Sequence, residues 1–267
     1  TSIGDYAFKN CEGLTTVWLA PMSKTPTLGI DVFFSTSSAL KFYVKDGTGT
    51  YDLTKYTSAT NWSSFATKTF RYLPKTMTAT KVATLYLPYE VAIPEGVTAY
   101  YCNGKSNTAL GMKKLENEVI PANTPVYITS TNAGTFNFLG NGGTDAQPSD
   151  IDAALQGTST DITNNSTTQS DYLALGEKTG SAPAEYGFYR FTGTTIDANT
   201  CYVAYSNDAK GLDLSFDGSV TGIKDITNSS SADDTNAPKV IYDLQGRRVN
   251  NPQHGIYILN GKKMIIK

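Results

Sequence analysis

Charged side chains are few in this sequence of 267 residues, and the basic ones are not clustered. Asp, Glu, Lys and Arg make up 17% of the chain, and the formal net charge is -2. A protein that binds nucleic acid needs grouped Lys and Arg to displace the counterions of the phosphates. The basic residues here form only isolated pairs, Lys113-Lys114, Arg247-Arg248 and Lys262-Lys263. We therefore expect no nucleic-acid partner.

Long hydrophobic runs are also missing. No stretch of 18 apolar residues occurs, so the sequence predicts no membrane-spanning segment. The chain opens on Thr1-Ser2-Ile3-Gly4, with neither an initiator Met nor a signal peptide, which suggests a piece of a longer protein. Its length suffices for two domains or for one large all-β domain.

Histidine and cysteine, the usual residues of nucleophilic and zinc chemistry, are scarce. The one histidine, His254, stands in an expected turn, whereas catalysis needs it near a Ser or Cys and an orienting acid. Ordinary zinc sites lack ligands for the same reason. The three cysteines have no metal-ligand spacing. We interpret Cys11 as a small buried apolar residue, and a Cys102–Cys201 bridge stays open as an alternative in an exported protein.

The acidic residues do not form a recognisable catalytic pair. Two carboxylates at the right separation would suffice for glycoside hydrolysis. Those of this chain lie in or after a Gly-rich loop, in a polar linker, or beside strands, with nothing that brings two of them to one cleft: Asp145, Asp150, Asp152, Asp233, Asp234, Glu90, Glu95, Glu116 and Glu118. We predict no catalytic residue and no enzyme.

Two glycine-rich segments suggest ion or phosphate binding but lack the full pattern. Residues 46–52 (DGTGTYD) offer oxygen ligands without the alternating acids of an EF-hand loop. Gly140–Gly143 has no following Lys-Ser/Thr for a phosphate loop. We interpret both as loops and predict neither a metal nor a cofactor.

The N-terminal part contains an internal repeat. Ile3–Phe8 and Leu14–Leu19 are followed by the related segments Leu28–Phe33 and Leu40–Val44. The spacing from Phe8 to Phe33 lies within the leucine-rich-repeat range of roughly 20 to 29 residues. Each unit supplies one short strand and one turn, and stacked units share a core.

The wording of this repeat, IGxxAFxNCxxLTxVxL, resembles the leucine-rich repeats of BspA-type bacterial surface proteins. The segments Tyr51–Tyr56 and Asn61–Phe65 look like the terminating cap of such arrays, in which a short helix and a Trp-x-x-Phe close the exposed end. The resemblance implies that residues 1–72 are the C-terminal end and cap of a leucine-rich-repeat array.

From about residue 73 the pattern changes to short β-rich runs bounded by Gly, Pro and Asn. Examples are Val82–Pro88, Val97–Cys102 and Val119–Ile128, and residues 195–204 repeat part of the last. Such runs indicate an antiparallel β-sandwich over residues 73–222. The one helix candidate is Asp150–Leu155. The fold class that we predict is therefore mainly β.

The C-terminal segment from Val240 to Lys267 combines alternating apolar runs with a hairpin signal. Val240–Leu244, Gly255–Leu259 and Met264–Ile266 are the runs, and Asn260-Gly261 favours a type I′ turn between the last two. The wording resembles the C-terminal sorting domains of secreted Bacteroidetes proteins. It implies that residues 223–267 are a linker and a C-terminal β-unit of an exported protein, at the cell surface or released. The alternative is a hairpin that completes a sheet.

Exposed aromatic residues are the binding signal that remains. Alternation along Val17-Trp18-Leu19 turns Trp18 to the open face of the repeat sheet, and the same argument turns Tyr43 outward beside it. Such a pair could hold a glycan ring or a protein partner. The alternative is that an upstream repeat or a neighbouring domain covers both.

These features predict a monomeric, non-enzymatic cell-surface or secreted protein. Its work would be adhesion or ligand binding through the repeat face, with an extracellular protein or a polysaccharide as partner. Two alternatives stay open. One is a structural spacer, and the other is a carbohydrate-binding module of a surface nutrient-uptake system.

Overall fold

The computed structural model describes residues 1–19, 25–46, 53–164, 172–204 and 211–216, together with the backbone of four short strands after residue 240. The described part of the chain is mainly β. It divides into two compact units, Thr1–Val220 and Thr221–Lys267.

The repeat region forms parallel strands at the period of the sequence. Strand β1 (Ser2–Ile3) pairs with β3 (Thr27–Leu28), and β2 (Thr16–Leu19) pairs with β4 (Lys41–Lys45). Strand β4 then pairs, also in parallel, with β5 (Thr69–Met77). Parallel neighbours need a crossover connection. Between β4 and β5 it contains helix α1 (Leu53–Thr57) and a 3₁₀ helix (Ser63–Lys68).

The turns of the two repeats also match each other, residue by residue. The backbone N–H groups of Tyr6, Phe8 and Asn10 donate to carbonyl oxygens in the matching turn of the second repeat, at 2.8–2.9 Å. Positive φ angles occur at Tyr6 and Asn10 and again at the equivalent positions of the second repeat, Asp31 and Ser35. The repeat seen in the sequence is therefore also a repeat of backbone conformation.

Trp62 closes the core of this region. It is 1% exposed, and its ring packs edge-on against Phe42 and Tyr56. Its indole N–H donates to the Pro26 carbonyl at 2.6 Å, which satisfies the one polar group of the side chain.

The remaining strands of the first unit follow β5 in the chain. They are β6 (Val82–Leu85), β7 (Val91–Ala92), β8 (Val97–Lys105), β9 (Ala109–Lys114), β10 (Val119–Ile120), β11 (Val126–Ser130), β12 (Gly134–Gly140), β13 (Gln156–Thr158), β14 (Ile162–Thr163), β15 (Tyr172–Glu177), β16 (Tyr186–Arg190), β17 (Thr195–Ile196), β18 (Thr200–Ala204) and β19 (Gly211–Ser215).

Two large sheets result. The six-stranded sheet has the order β10-β7-β12-β5-β4-β2, so it joins the repeat strands to three later strands through β5. The nine-stranded sheet has the order β13-β18-β15-β16-β19-β9-β8-β11-β6 and is a nearly closed barrel. Its gap is bridged where the backbone N–H of Cys201 donates to the Thr84 hydroxyl at 3.0 Å.

The expected mainly β class is confirmed, and the two large sheets pack against each other through a shared core, with one of them curled into a nearly closed barrel. Strands β8 and β11 are buried on both faces. Ala99 and Ile128 pack toward the six-stranded sheet, whereas Cys102 and Tyr127 point into the barrel. Strands covered on both sides contain continuous apolar runs, and residues 99–102 and 126–128 are such runs. Strands β9 and β19 pair in parallel, a departure from the expected antiparallel pattern.

The expected helix at Asp150–Leu155 is wrong, because the segment forms turns. The Asp152 carboxylate accepts the backbone N–H of Ala154 at 2.7 Å, an Asx turn that competes with helix formation. The Asp150 carboxylate accepts the Tyr101 hydroxyl at 2.6 Å and the Lys113 ammonium at 2.8 Å.

The second unit contains a four-stranded antiparallel sheet. Its strands are β20 (Ile241–Tyr242), β21 (Arg248–Val249), β22 (Gly255–Leu259) and β23 (Lys262–Ile266), in the order β21-β20-β22-β23. Leu259 pairs with Lys262, the register that the predicted Asn-Gly hairpin requires. The expected linker at 224–238, and residues 260–261 themselves, lie outside the described residues.

Candidate functional site

The repeat strands place three aromatic rings side by side on the solvent face of the six-stranded sheet. Trp18 is in register with Tyr43, and Tyr43 with Phe70. The ring centroids are 5.3 Å apart for Trp18 and Tyr43, and 6.1 Å apart for Tyr43 and Phe70. In-register neighbours share one face at the strand spacing, so the parallel pairing itself produces the row of rings.

Trp18 and Tyr43 differ in exposure. The Trp18 side chain is 49% exposed, as the alternation predicts, but Tyr43 is only 5% exposed. The ring of Tyr72, two residues after Phe70, meets Trp18 edge-on at 4.7 Å, although β4 lies between their strands. The two rings therefore cover Tyr43, and burial raises its pKa. The expectation that Tyr43 is open to solvent is wrong, and its ring supports Trp18 from below.

The row continues beyond the repeat strands. Tyr72 is opposite Leu139, Leu139 is opposite Ala92, and Ala92 is opposite Val119, so all four share the face of Trp18. All four are partly exposed. The outer stripe, as we name it, consists of Trp18, Tyr43, Phe70, Tyr72, Leu139, Ala92 and Val119. Contiguous exposed apolar patches often mark interaction surfaces, which makes the outer stripe a candidate binding surface.

A second feature, the junction cleft, opens where β5 begins and β12 ends. It is a cavity of about 740 Å³ between the cap of the repeat region and the loop that follows Leu87. Its walls include the aromatic side chains of Phe70 and Tyr89, the charged groups of Arg71 and Glu90, and the loop at Asn141.

Glu90 is a buried carboxylate in this cleft, 5% exposed. One oxygen accepts the Asn141 amide and the other accepts the backbone N–H of Asp145, both at 2.6 Å. A Cβ on Gly143 would overlap the carboxylate, and one on Gly142, whose φ is +73°, would overlap the Phe70 ring. The two glycines therefore let the loop close tightly on both side chains.

Arg71 lies over the ring of Tyr89, with 5.6 Å between the guanidinium carbon and the ring centroid. The Tyr89 hydroxyl donates to the Asp46 carboxylate at 2.8 Å. Burial, together with the charge and hydrogen bond of Asp46, raises the pKa of Tyr89 far above its usual value. Within the described residues, Arg71 makes no ion pair.

The sequence predicts the exposure of Trp18 but not most of the other residues of the outer stripe and the junction cleft. The alternation of Phe70 and Tyr72 was a readable signal for the extension of the outer stripe. No short-range pattern predicts the antiparallel pairing of β7 with β12, which places Gly140 opposite Val91 and so brings Asn141 beside Glu90.

The acidic residues for which the sequence predicts no catalytic role lie in several separate parts of the structure. Asp145 and Asp150 are held by hydrogen bonds in separate loops. Contrary to expectation, Glu95, Glu116 and Glu118 line one cavity of about 430 Å³. Within the described ranges, no three His, Cys, Asp or Glu side chains are placed to hold a metal. His254, the pair 233–234 and most of the 46–52 loop lie outside the described residues.

The cysteines are all free. The open alternative of a Cys102–Cys201 bridge is therefore not realised, and each of these buried thiols donates to backbone carbonyl oxygens instead. Cys11, expected to be buried, is exposed. Its repeat lies at the edge of the described stack, with a neighbouring repeat on one side only.

Comparisons with protein-family models, with curated proteins and with solved structures gave no match. Among the helices that the structure describes, none has the length and apolar character needed to cross a membrane.

Proposed function

We propose that this chain is a non-enzymatic, surface-displayed or secreted binding protein that holds an extracellular protein partner on the outer stripe. The observation that carries this proposal is the stripe itself. It is a partly exposed apolar band across six strands, with a half-exposed tryptophan at one end. Contiguous exposed apolar bands on a protein surface are often functional.

The repeat region supports the identity that its sequence suggests. The parallel pairing, the hydrogen bonds between successive turns and the positive φ angles that recur from one repeat to the next are what stacked leucine-rich repeats require. We propose that residues 1–72 are the end of a BspA-type array and that the second unit, whose wording resembles a sorting domain, serves export.

Trp18 is the expected anchor of the binding energy. Its ring is held at one side by Tyr43 and at another by Tyr72, so little side-chain entropy remains to be lost on binding. Aromatic anchors on a rigid base are typical hot spots, and truncation of one costs about 2 kcal/mol or more.

A screen of the 267-residue chain against extracellular-matrix proteins and polysaccharides, with Trp18→Ala and Phe34→Ala compared, tests this proposal. Phe34 is 57% exposed but lies on a turn away from the stripe. We expect a protein ligand whose affinity falls roughly thirtyfold in Trp18→Ala, as about 2 kcal/mol implies, and is unchanged in Phe34→Ala. Binding that is insensitive to Trp18→Ala would contradict the proposal, and binding only to polysaccharides would favour the carbohydrate alternative.

A further inference from the structure

The junction cleft has the size and the lining of a small-ligand site. Its volume of about 740 Å³ lies inside the range of roughly 300 to 1,000 Å³ that is usual for ligand pockets. Such sites commonly lie where two structural parts of a protein meet. Here the cap of the repeat region forms one side, and the loops after β6 and β12 form the other.

The polar groups of the cleft are fixed before any ligand arrives. Each Glu90 oxygen accepts one hydrogen bond from the protein, which leaves further lone pairs for a donor. The Arg71 side chain is held over Tyr89, which is itself tied to Asp46. Its guanidinium carries five N–H donors, and no ion pair with a described residue occupies them.

The lining also determines the charge of a suitable ligand. Arg71 supplies one positive charge and Glu90 one negative charge, so a strongly anionic ligand would meet the buried carboxylate. Beside these groups stands the ring of Phe70, against which Gly142 packs closely. The lining residues therefore offer a donor, an acceptor and an aromatic ring. The charges of Arg71 and Glu90 balance, as do those of Lys41 over the Phe70 ring and Asp46 on Tyr89.

We propose that the junction cleft binds a neutral hexopyranose unit. Adjacent ring hydroxyls can donate to Glu90 and accept from Arg71 at the same time, and the C–H face of the sugar ring suits the negative face of an aromatic ring. Asn141 is a positioning residue, because its amide donates to Glu90 and its carbonyl accepts the backbone N–H of Gly143 at 2.9 Å.

The cleft proposal does not depend on a protein ligand for the outer stripe. Phe70 contributes to both features, but Trp18 does not line the cleft. Trp18→Ala should therefore leave sugar binding unchanged even where it removes binding of a protein.

The test uses the 267-residue chain and the methyl glycosides of glucose, galactose, mannose and N-acetylglucosamine. Saturation-transfer NMR detects binding, and titration calorimetry measures affinity. We expect at least one hexoside to bind with an affinity that falls about tenfold in Arg71→Met, the factor that ~1.4 kcal/mol produces. Arg190→Met removes an equivalent charge from a barrel strand that does not line the cleft, and should leave affinity unchanged.

Phe70→Leu provides a second variant, which keeps an apolar side chain but removes the ring, and it too should weaken binding about tenfold. Melting temperatures identify variants that fail to fold, and the test then rests on the variant that folds. No saturation transfer from the wild-type chain to any hexoside would overturn the proposal. So would affinity that neither folded variant changes, or tighter binding of the corresponding uronic acids.

Discussion

Among single residues, Cys201 is a thiol whose reactivity is suppressed by its buried position in the barrel. It sits at the gap of the nine-stranded sheet, where its backbone N–H reaches Thr84 and its thiol donates to the Leu85 carbonyl. Burial raises the pKa of this thiol to about 12. At neutral pH the side chain is therefore a small apolar group and not a nucleophile.

We expect one of the three thiols to react in the native protein. Cys11 is exposed, whereas Cys102 and Cys201 are buried, and burial raises the pKa of both buried thiols. Titration with a thiol reagent at pH 8 should modify one cysteine in the folded chain and three after denaturation. Cys11→Ser should abolish the native reaction, and rapid modification of that variant would show that the barrel opens readily.

The buried Cys201 thiol should make the folded protein less stable at alkaline pH. An unfolded cysteine releases its proton near pH 8.5, whereas folded Cys201 keeps it to about pH 12. Between these two pH values the unfolded state therefore binds fewer protons than the folded state. The stability that the protonated Cys201 thiol contributes is lost as the pH rises through this range. Between pH 8.5 and pH 11, the melting temperature of Cys201→Ala should decrease less than that of the wild type. The melting temperature of Cys11→Ser should decrease as much as that of the wild type.

Single residues also show where sequence reasoning stops. Alternation correctly assigned Trp18 and Tyr43 to one face, because the two-residue period of a strand is local. It could not give the burial of Tyr43, which depends on Tyr72 reaching Trp18 from another strand. Cys11 was expected to be buried but is exposed, since the local repeat pattern does not specify which neighbouring segments cover a side chain.

At the scale of elements, β5 is the strand that joins the repeat region to the rest of the six-stranded sheet. It pairs in parallel with β4 on one side and antiparallel with β12 on the other. The predicted boundary between residues 72 and 73 falls inside this strand. Composition changes near that point, but the sheet does not, because a strand can belong to two sequence patterns at once.

The loop after β12 should tolerate no added side chain. Gly143→Ala places a methyl group on the buried Glu90 carboxylate, and overpacking of this kind costs about 1 to 3 kcal/mol. Gly13→Ala is the matched control, because nothing lies within 4 Å of the added carbon. Urea unfolding measures both, and equal stabilities would show that Glu90 moves aside without cost.

The cap should depend on Trp62. Its side chain is fully buried against Phe42 and Tyr56, and replacement of such a residue by Ala costs about 3 to 5 kcal/mol. We expect Trp62→Ala to lower the urea midpoint strongly and Trp18→Ala to lower it little. Similar losses for the two variants would mean that the outer stripe is part of the core.

At the scale of the whole molecule, the second unit should be dispensable for folding. It forms its own four-stranded sheet and a separate compact unit. Deletion of residues 239–267 should leave the melting temperature of the first unit unchanged but abolish surface display in the native organism. Normal surface display of the deletion would remove the sorting role and leave a structural one.

The large-scale architecture was only partly accessible from sequence. The mainly β class, the N-terminal repeat and the C-terminal hairpin register follow from local periods and turn residues. The nearly closed barrel does not, because Cys201 and Thr84 meet across 117 residues of chain. Neither the segment around Thr84 nor the segment around Cys201 contains a local sequence pattern that predicts its contact with the other.

The shared strand β5 also sets an order of events during synthesis. The repeat strands lie entirely before residue 77, yet one edge of β5 stays unpaired until β12, at residues 134–140, has left the ribosome. An unpaired edge invites pairing with other chains, and contacts between distant segments form slowly. We therefore expect the N-terminal part to be most prone to pairing with other chains before β12 is available.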